Sequence, residues 1–330
     1  MHGGKMKKIA MFDTKAYDKK PFDLANNDRY EILYYESKLT PQTVELAKGA
    51  DVVCAFVNDD LDQYVIEHLV QMKVKLVAMR CAGFSNVDYP AGAGKVKFVR
   101  VPAYSPYAVA EFAMGMLLCL NRKIHKAYNR TRDFNFNING LTGMDLHGKT
   151  VGVIGTGKIG KIFIAICRGF GMRVLAYDLY PDPQADFEYV PLSRLFSESD
   201  VISLHCPLTE QTKHIINKKA IEQMKEHVIL LNTSRGGLCE SQSLFTALKE
   251  KRIGGAGLDV YEEEAEWFFE DHSAKGIQDD TLALLTAMPN VLVTSHQAFL
   301  TNEALQNIAE VTLENIDAFF AGKELINEIV

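Results

Sequence analysis

The segment Thr150-Val-Gly-Val-Ile-Gly-Thr-Gly-Lys-Ile-Gly160 constrains the chain more than any other. A β-branched apolar run leads into Gly155, Thr156, Gly157, Lys158, Ile159 and Gly160, and a stretch carrying Ile162, Phe163 and Ile166 at helical spacing follows. The three glycines serve three purposes: a tight turn at Gly155, close backbone approach to a pyrophosphate at Gly157, and helix-on-strand packing at Gly160. The helix N-terminus then offers unpaired N–H groups and a positive dipole end to phosphate. The next apolar run ends in Asp178, 18 residues beyond Gly160. A carboxylate there accepts hydrogen bonds from ribose hydroxyls and repels a 2′-phosphate, so the pattern selects NAD over NADP.

The rest of the chain fits around this unit. Strands are expected near residues 8–12, 30–35, 52–56, 76–79 and 98–101, with helical stretches such as 61–71 between them. A second series is expected at 151–154, 173–177, 201–204, 228–231, 256–259 and 291–294, six strands that suit a dinucleotide-binding sheet. This alternation defines an α/β chain with parallel sheets and crossover helices. At 330 residues it exceeds what one core usually serves, so two domains are expected. Between the series, Ser105-Pro106 reads as the N-cap and first residue of a helix running to about His125. It is apolar around most of its circumference, which predicts burial between domains or against another subunit. A last amphipathic helix is expected over 302–320, with Gly322 as its stop.

The net charge of −6 and the lack of any basic block argue against nucleic acid as a partner. No run of about 18 apolar residues exists to cross a membrane. Lys5, Lys7 and Lys8 are followed quickly by Asp13 and Lys15, which gives no signal-peptide core, and residues 1–5 are expected to precede the fold. The six cysteines are scattered without a CxxC pair, and no HExxH or similar spacing occurs, so reduced cysteines, a cytoplasmic setting and no catalytic metal are expected.

Three charged residues follow apolar runs of the second series. Arg235 lies in Leu-Asn-Thr-Ser-Arg-Gly-Gly237, Glu264 closes Gly-Leu-Asp-Val-Tyr-Glu-Glu-Glu264, and His296 lies in Val-Thr-Ser-His-Gln297. Alone, each has a plain structural reading: a surface ion pair, a solvated acidic run, a structural histidine. Together they follow consecutive strands of one sheet, at the carboxyl ends where open α/β sheets bind ligands.

At these residues the chain resembles the D-isomer-specific 2-hydroxyacid dehydrogenase family, within it the D-lactate dehydrogenase branch. The likeness spans nearly the whole chain: Arg80-Cys-Ala-Gly83-Phe-Ser-Asn-Val-Asp88, Val101-Pro-Ala-Tyr104, the glycine loop, His205-Cys206-Pro207-Leu-Thr209, Asn232-Thr233-Ser234-Arg235, Asp259-Val-Tyr-Glu-Glu-Glu264 and His296-Gln-Ala-Phe299. Cys81 stands where Ser is common in the family, and Ser295 where many relatives carry Pro. The resemblance implies reversible, NADH-dependent reduction of a small 2-keto acid, pyruvate first, to a D-2-hydroxy acid. Arg235 would bind and polarise the substrate, His296 would be the acid and base, and Glu264 would orient His296 and favour its imidazolium. Arg80, the N–H groups of Ala82 and Gly83, Tyr104 and Phe299 would line the substrate site. The glycine loop, Asp178, His205, Cys206, Pro207, Thr233, Ser234 and Asp259 would hold the cofactor, with Asp259 on the nicotinamide carboxamide.

The resemblance also implies two Rossmann-like domains around an active-site cleft. Residues 1–101 with 299–330 would be the flavodoxin-like substrate domain, and 102–298 the NAD-binding domain, in a homodimer or homotetramer. Two other readings stay open: a sister dehydrogenase for a bulkier 2-keto acid, and an NAD-sensing corepressor-like scaffold.

Overall fold

Strand and helix alternate along most of the chain, as the spacing of its apolar runs requires. The structure is a computed structural model that describes residues 6–329; residues 1–5 and 330 lie outside it. Among the described residues two units emerge, 6–105 with 300–329, and Pro106–Phe299. The first division thus falls where a helix begins, a few residues past the expected 101, and Phe299 groups with the second unit.

In the first unit β1 (Lys8–Met11), α1 (Ala16–Asn26), β2 (Glu31–Tyr34), β3 (Val52–Ala55), α2 (Gln63–Gln71), β4 (Leu76–Met79) and β5 (Lys97–Arg100) follow in turn. The five strands are parallel in the order β2-β1-β3-β4-β5, that of flavodoxin-like sheets. β3 and β4 read VVCA and LVAM and are buried at every position, as strands covered on both faces must be. The start of α2 is set by Asp62, whose carboxylate accepts from the Val65 N–H at 2.9 Å.

The second unit opens with α3 (Pro106–Arg122), starting at the expected proline. The helix does not reach 125. Lys123 adopts φ 52°, which breaks the hydrogen-bond ladder, and α4 (Ile124–Arg132) starts afresh. Then come β6 (Thr150–Ile154), α5 (Lys158–Gly169), β7 (Arg173–Tyr177), β8 (Glu188–Tyr189), α6 (Leu192–Glu198), β9 (Val201–Leu204), α7 (Lys218–Gln223), β10 (Ile229–Asn232), α8 (Ser241–Lys249), β11 (Gly255–Leu258), α9 (Asp280–Ala287) and β12 (Val291–Val293).

The sheet has seven strands, not the six expected, in the order β12-β11-β10-β9-β6-β7-β8. The addition is β8, a two-residue edge strand too short to leave a periodic signature. The order reverses between β6 and β9, the switch point at which such sheets bind ligands. Part of the apolar surface of α3 covers its own sheet: a Cβ on Gly257 of β11 would lie 3.1 Å from Leu120 and 3.4 Å from Met116. Finally α10 (Asn302–Phe320) returns to the first unit. There Tyr30 Oη donates to Asp317 at 2.6 Å, and Asn315 Nδ2 donates to the Arg100 carbonyl at 3.0 Å.

Candidate active site

The turn after β6 accepts no side chain larger than hydrogen at two of its glycines. Gly155 has φ 95°, and a Cβ there would meet the Cys206 nitrogen at 2.5 Å. A Cβ on Gly160 would lie 2.0 Å from the Gly155 carbonyl oxygen, so the first turn of α5 rests on the loop itself. Gly157 caps α5 with no side-chain cap bond, and among the described residues no atom lies within 4 Å of where its Cβ would be. Thr156 is buried, while Lys158 is exposed and Ile159 half-buried.

Asp178, at the end of β7, accepts from the Thr156 N–H at 2.7 Å, the Thr156 hydroxyl at 3.0 Å and the Tyr180 N–H at 2.9 Å. Burial alone would push this carboxyl up. The donors outweigh it and hold Asp178 below the usual carboxylate range.

Across the switch point, the His205 ring packs 4.9 Å from that of Phe163 and shares a 2.9 Å hydrogen bond with Ser203 through Nε2. Its Nδ1 is enclosed without a partner, and burial pushes the ring down to about 3, so it is neutral at working pH. Ser234 donates to the Cys206 carbonyl at 2.7 Å, tying the β9 and β10 turns together. Pro207 is exposed, and the Thr233 hydroxyl is buried with no partner. A glycine cradle that forbids Cβ atoms, an open helix N-terminus, an anchored acid and unpaired buried donors fit a dinucleotide of the NAD type.

The catalytic candidates stand on the turns after β10, β11 and β12. Asn232 shapes the Arg235 turn: its side chain donates to the Arg235 carbonyl at 2.8 Å and accepts from the Ser234 N–H at 3.1 Å. The Arg235 side chain is exposed, donates to the Ser234 carbonyl at 2.7 Å, and has no carboxylate partner among the described residues. His296 Nδ1 pairs with Glu264 Oε1 at 2.7 Å, both side chains being largely buried. The other oxygen of Glu264 accepts from the Tyr261 N–H at 2.8 Å. His296 sits at φ 54°, a left-handed conformation that a β-substituted residue holds only when its surroundings impose it.

Asp259 imposes that conformation, and this corrects its expected role. It is 0% exposed, and its carboxylate accepts from Thr294 Oγ1 at 2.6 Å, Gln297 N–H at 2.9 Å and Ala298 N–H at 2.8 Å. Its own carbonyl accepts from the His296 N–H at 2.7 Å. Burial pushes the carboxyl up. A side chain so enclosed shapes the histidine turn and leaves no face for a carboxamide.

Arg80, in the first unit, needs the same correction. Its side chain is 2% exposed, donating to the carbonyls of Phe12 at 3.0 Å and Asp13 at 2.6 Å, with Asp18 at 3.5 Å and the Phe56 ring 4.7 Å away. It braces the loop that follows it and is not presented to a substrate. In that loop the N–H groups of Ala82 and Gly83 donate to no acceptor among the described residues, which suits a carboxylate. Cys81 is 7% exposed and donates to the Gly83 carbonyl at 3.2 Å. Tyr104 is half-buried, and Phe299, in the second unit, is 8% exposed.

Two positioning residues escape the sequence reading, Asn232 and Thr294. Both are short polar residues at a strand end, beside a motif. That composition marks side chains that hydrogen-bond neighbouring backbone, although it does not say which groups they reach.

The sequence model described as D-isomer specific 2-hydroxyacid dehydrogenase, NAD binding domain, matches residues 114–298. The D-lactate dehydrogenase of Escherichia coli (strain K12) is 52% identical over 328 residues, 98% of this chain and 100% of that protein. Its solved apo-structure gives a TM-score of 0.91 at 50% identity, covering 98% and 100% of the two chains. The structure of the pyruvate reductase of Chlamydomonas reinhardtii gives 0.94 at 42% identity, covering 98% of each. That of D-lactate dehydrogenase with NAD+ from Lactobacillus jensenii gives 0.84 at 30% identity, covering 98% and 99%.

Proposed function

The chain belongs to the D-isomer specific 2-hydroxyacid dehydrogenase family, and on that premise we propose that it is an NAD-dependent D-lactate dehydrogenase interconverting pyruvate and D-lactate. The observation that carries this reading is the His296–Glu264 pair, which joins the turns after β12 and β11, with the Arg235 guanidinium, without a carboxylate partner among the described residues, on the turn after β10 at the same sheet edge. Relatives that carry the name D-lactate dehydrogenase at about half identity over the full chain support the choice of substrate.

The cofactor is NAD, which when bound supplies or takes the hydride at the substrate's C2. The glycine turn and the α5 N-terminus would hold its phosphates, and Asp178 would hold the adenosine ribose. Arg235 anchors the keto acid and draws electron density from its carbonyl, a task for a fixed planar donor. Because Nδ1 of His296 is committed to Glu264, Nε2 is the nitrogen that gives its proton to the carbonyl oxygen, and takes it back in reverse. Within the first unit, the N–H groups of Ala82 and Gly83 suit a carboxylate, and the family resemblance gives Tyr104 the same part; within the second, it gives Phe299 the part of limiting the size of the acid. The intact trio speaks against a scaffold without catalysis.

Steady-state rates with pyruvate, 2-ketoisocaproate and phenylpyruvate test the substrate. Pyruvate has the highest kcat/KM on this reading; a bulkier acid ahead of it would make the chain a sister enzyme with the same site. NADPH should support much less turnover than NADH, and Asp178→Ala should narrow the difference. Equal use of both by the wild type would remove the role of Asp178.

A homodimer, paired further or not, is the proposed assembly. Residues 131–140 are all exposed, among them Phe134 at 84%, Phe136 at 72% and Ile138 at 78%. The arm is shaped rather than loose, since Arg130 donates to the carbonyls of Asn137 and Asn139. An apolar groove of about 770 Å³ on the same unit, lined by Met114, Leu118, Ile162, Ala165 and Ile166, supports contact with a second copy. Among the described residues no helix is long and apolar enough to cross a membrane. The cytoplasm is the proposed compartment, on six cysteines outside any disulfide, five of them buried.

A further inference from the structure

A second histidine–carboxylate pair stands beside the first. His214 Nε2 donates to Glu262 Oε1 at 2.5 Å, and both side chains are about three-quarters buried or a little less. Glu262 Oε2 also accepts from the Ser241 hydroxyl at 3.2 Å and the Ser241 N–H at 3.4 Å. Burial would raise the Glu262 carboxyl. The bonds from His214 and Ser241 outweigh it and hold this carboxyl below its ordinary value.

Three loops meet at this pair, each following a different strand of one sheet. His214 belongs to the segment after β9, and its backbone N–H donates to the Gly237 carbonyl at 2.9 Å. Ser241 ends the turn that Arg235 opens, and Ile216 and Glu240 extend the pairing, with bonds of 3.0 Å from Ile216 to Leu238 and 2.9 Å from Glu240 to Ile216. Glu262 lies two residues before Glu264, on the turn whose Tyr261 N–H holds the Glu264 carboxylate. Between the last two loops there is no slack. A Cβ on Gly236, the neighbour of Arg235, would fall 2.1 Å from the Tyr261 carbonyl.

We propose that His214 and Glu262 are a positioning pair for catalysis, locking the Arg235 turn and the Glu264 turn in one register. The pair touches no reacting atom. It fixes where the Arg235 guanidinium lies relative to the carboxylate that orients His296. The inference rests on the reading of the chain as a 2-keto-acid reductase.

The test uses the full-length holoenzyme with pyruvate at saturating NADH. His214→Ala and Glu262→Ala should each lower kcat by about tenfold or more, approaching the ~100-fold that about 1 Å of misplacement can cost. NADH affinity, read by fluorescence, should hold within about twofold, because the glycine turn is untouched. The primary isotope effect from 4-deuterated NADH should rise as hydride transfer becomes slower than release. The double variant should lose little more than either single one, as expected of two partners in one interaction.

If the alanine variants fail to fold, two others decide. His214→Gln can still donate to Glu262 and should keep most of kcat; His214→Leu, similar in bulk, cannot and should lose it. Equal kcat in these two, an unchanged isotope effect, or NADH affinity falling in step with kcat would overturn the proposal. A wild type inert towards pyruvate would overturn both this and the proposed function, whereas an active wild type with indifferent variants would overturn this alone.

Discussion

His296 owes its usefulness to groups that never meet the substrate. Its left-handed backbone is held by Asp259, whose carboxylate takes three bonds from residues 294–298, and its ring is turned by Glu264. Asp259→Asn would set an amide donor against at least one of those donors, at a cost of about 1–3 kcal/mol, and release the histidine turn. The expected outcome is a large fall in kcat with NADH affinity kept. Loss of NADH binding in parallel would return Asp259 to the role of cofactor ligand. Arg80 follows the same logic: Arg80→Lys should weaken pyruvate binding through a displaced Ala82–Gly83 loop and leave NADH binding unchanged, and an equal loss of both would contradict a bracing role.

At the scale of elements, α5 shows how one helix can be rigid about glycine at one end and indifferent at the other. Gly160 faces a carbonyl 2.0 Å from where its Cβ would be, while Gly169 has open space around it. Gly169→Ala should stabilise the fold by up to the ~0.5–1 kcal/mol that helical glycine costs against alanine, and so raise the thermal midpoint slightly. Gly160→Ala should lower it and abolish NADH binding, and a Gly160→Ala chain that binds NADH normally would refute the packing argument.

Because these demands are local, the amino-acid sequence alone makes the turn legible. A glycine forced by its own loop, a strand of β-branched residues and an acid at the next strand end all leave their mark within short stretches of chain. The break at Lys123 leaves none, because no glycine or proline accompanies it. The roles expected of Arg80 and Asp259 fail for a related reason. Charge suggests ligands, but burial and the partners that make them braces come from residues distant in sequence, such as Phe12 and Asp13 for Arg80. Arg235, Glu264 and His296 are readable because each follows an obvious strand.

Across the whole molecule, acid should destabilise the second unit through His205. Folding holds this ring neutral down to about 3, whereas the unfolded chain takes up the proton near 6.5, so the unfolded state binds more protons between those values. The stability is complete above about pH 6.5 and is lost progressively as pH falls, by up to about 2 kcal/mol at pH 5. Urea melts of wild type and His205→Gln at several pH values should differ by that slope, and parallel curves would show that His205 does not carry it. Assembly is the second property at this scale. Phe134→Ser with Phe136→Ser should yield monomers in sedimentation, and unchanged association would place the interface elsewhere.

The most direct test of the central claim is pyruvate reduction by wild type and His296→Ala side by side, with saturating NADH and the configuration of the lactate determined. The predicted result is D-lactate from the wild type and near-complete loss of turnover in the variant, with NADH binding retained. L-lactate, or a His296→Ala enzyme that still reduces pyruvate at the wild-type rate, would contradict it.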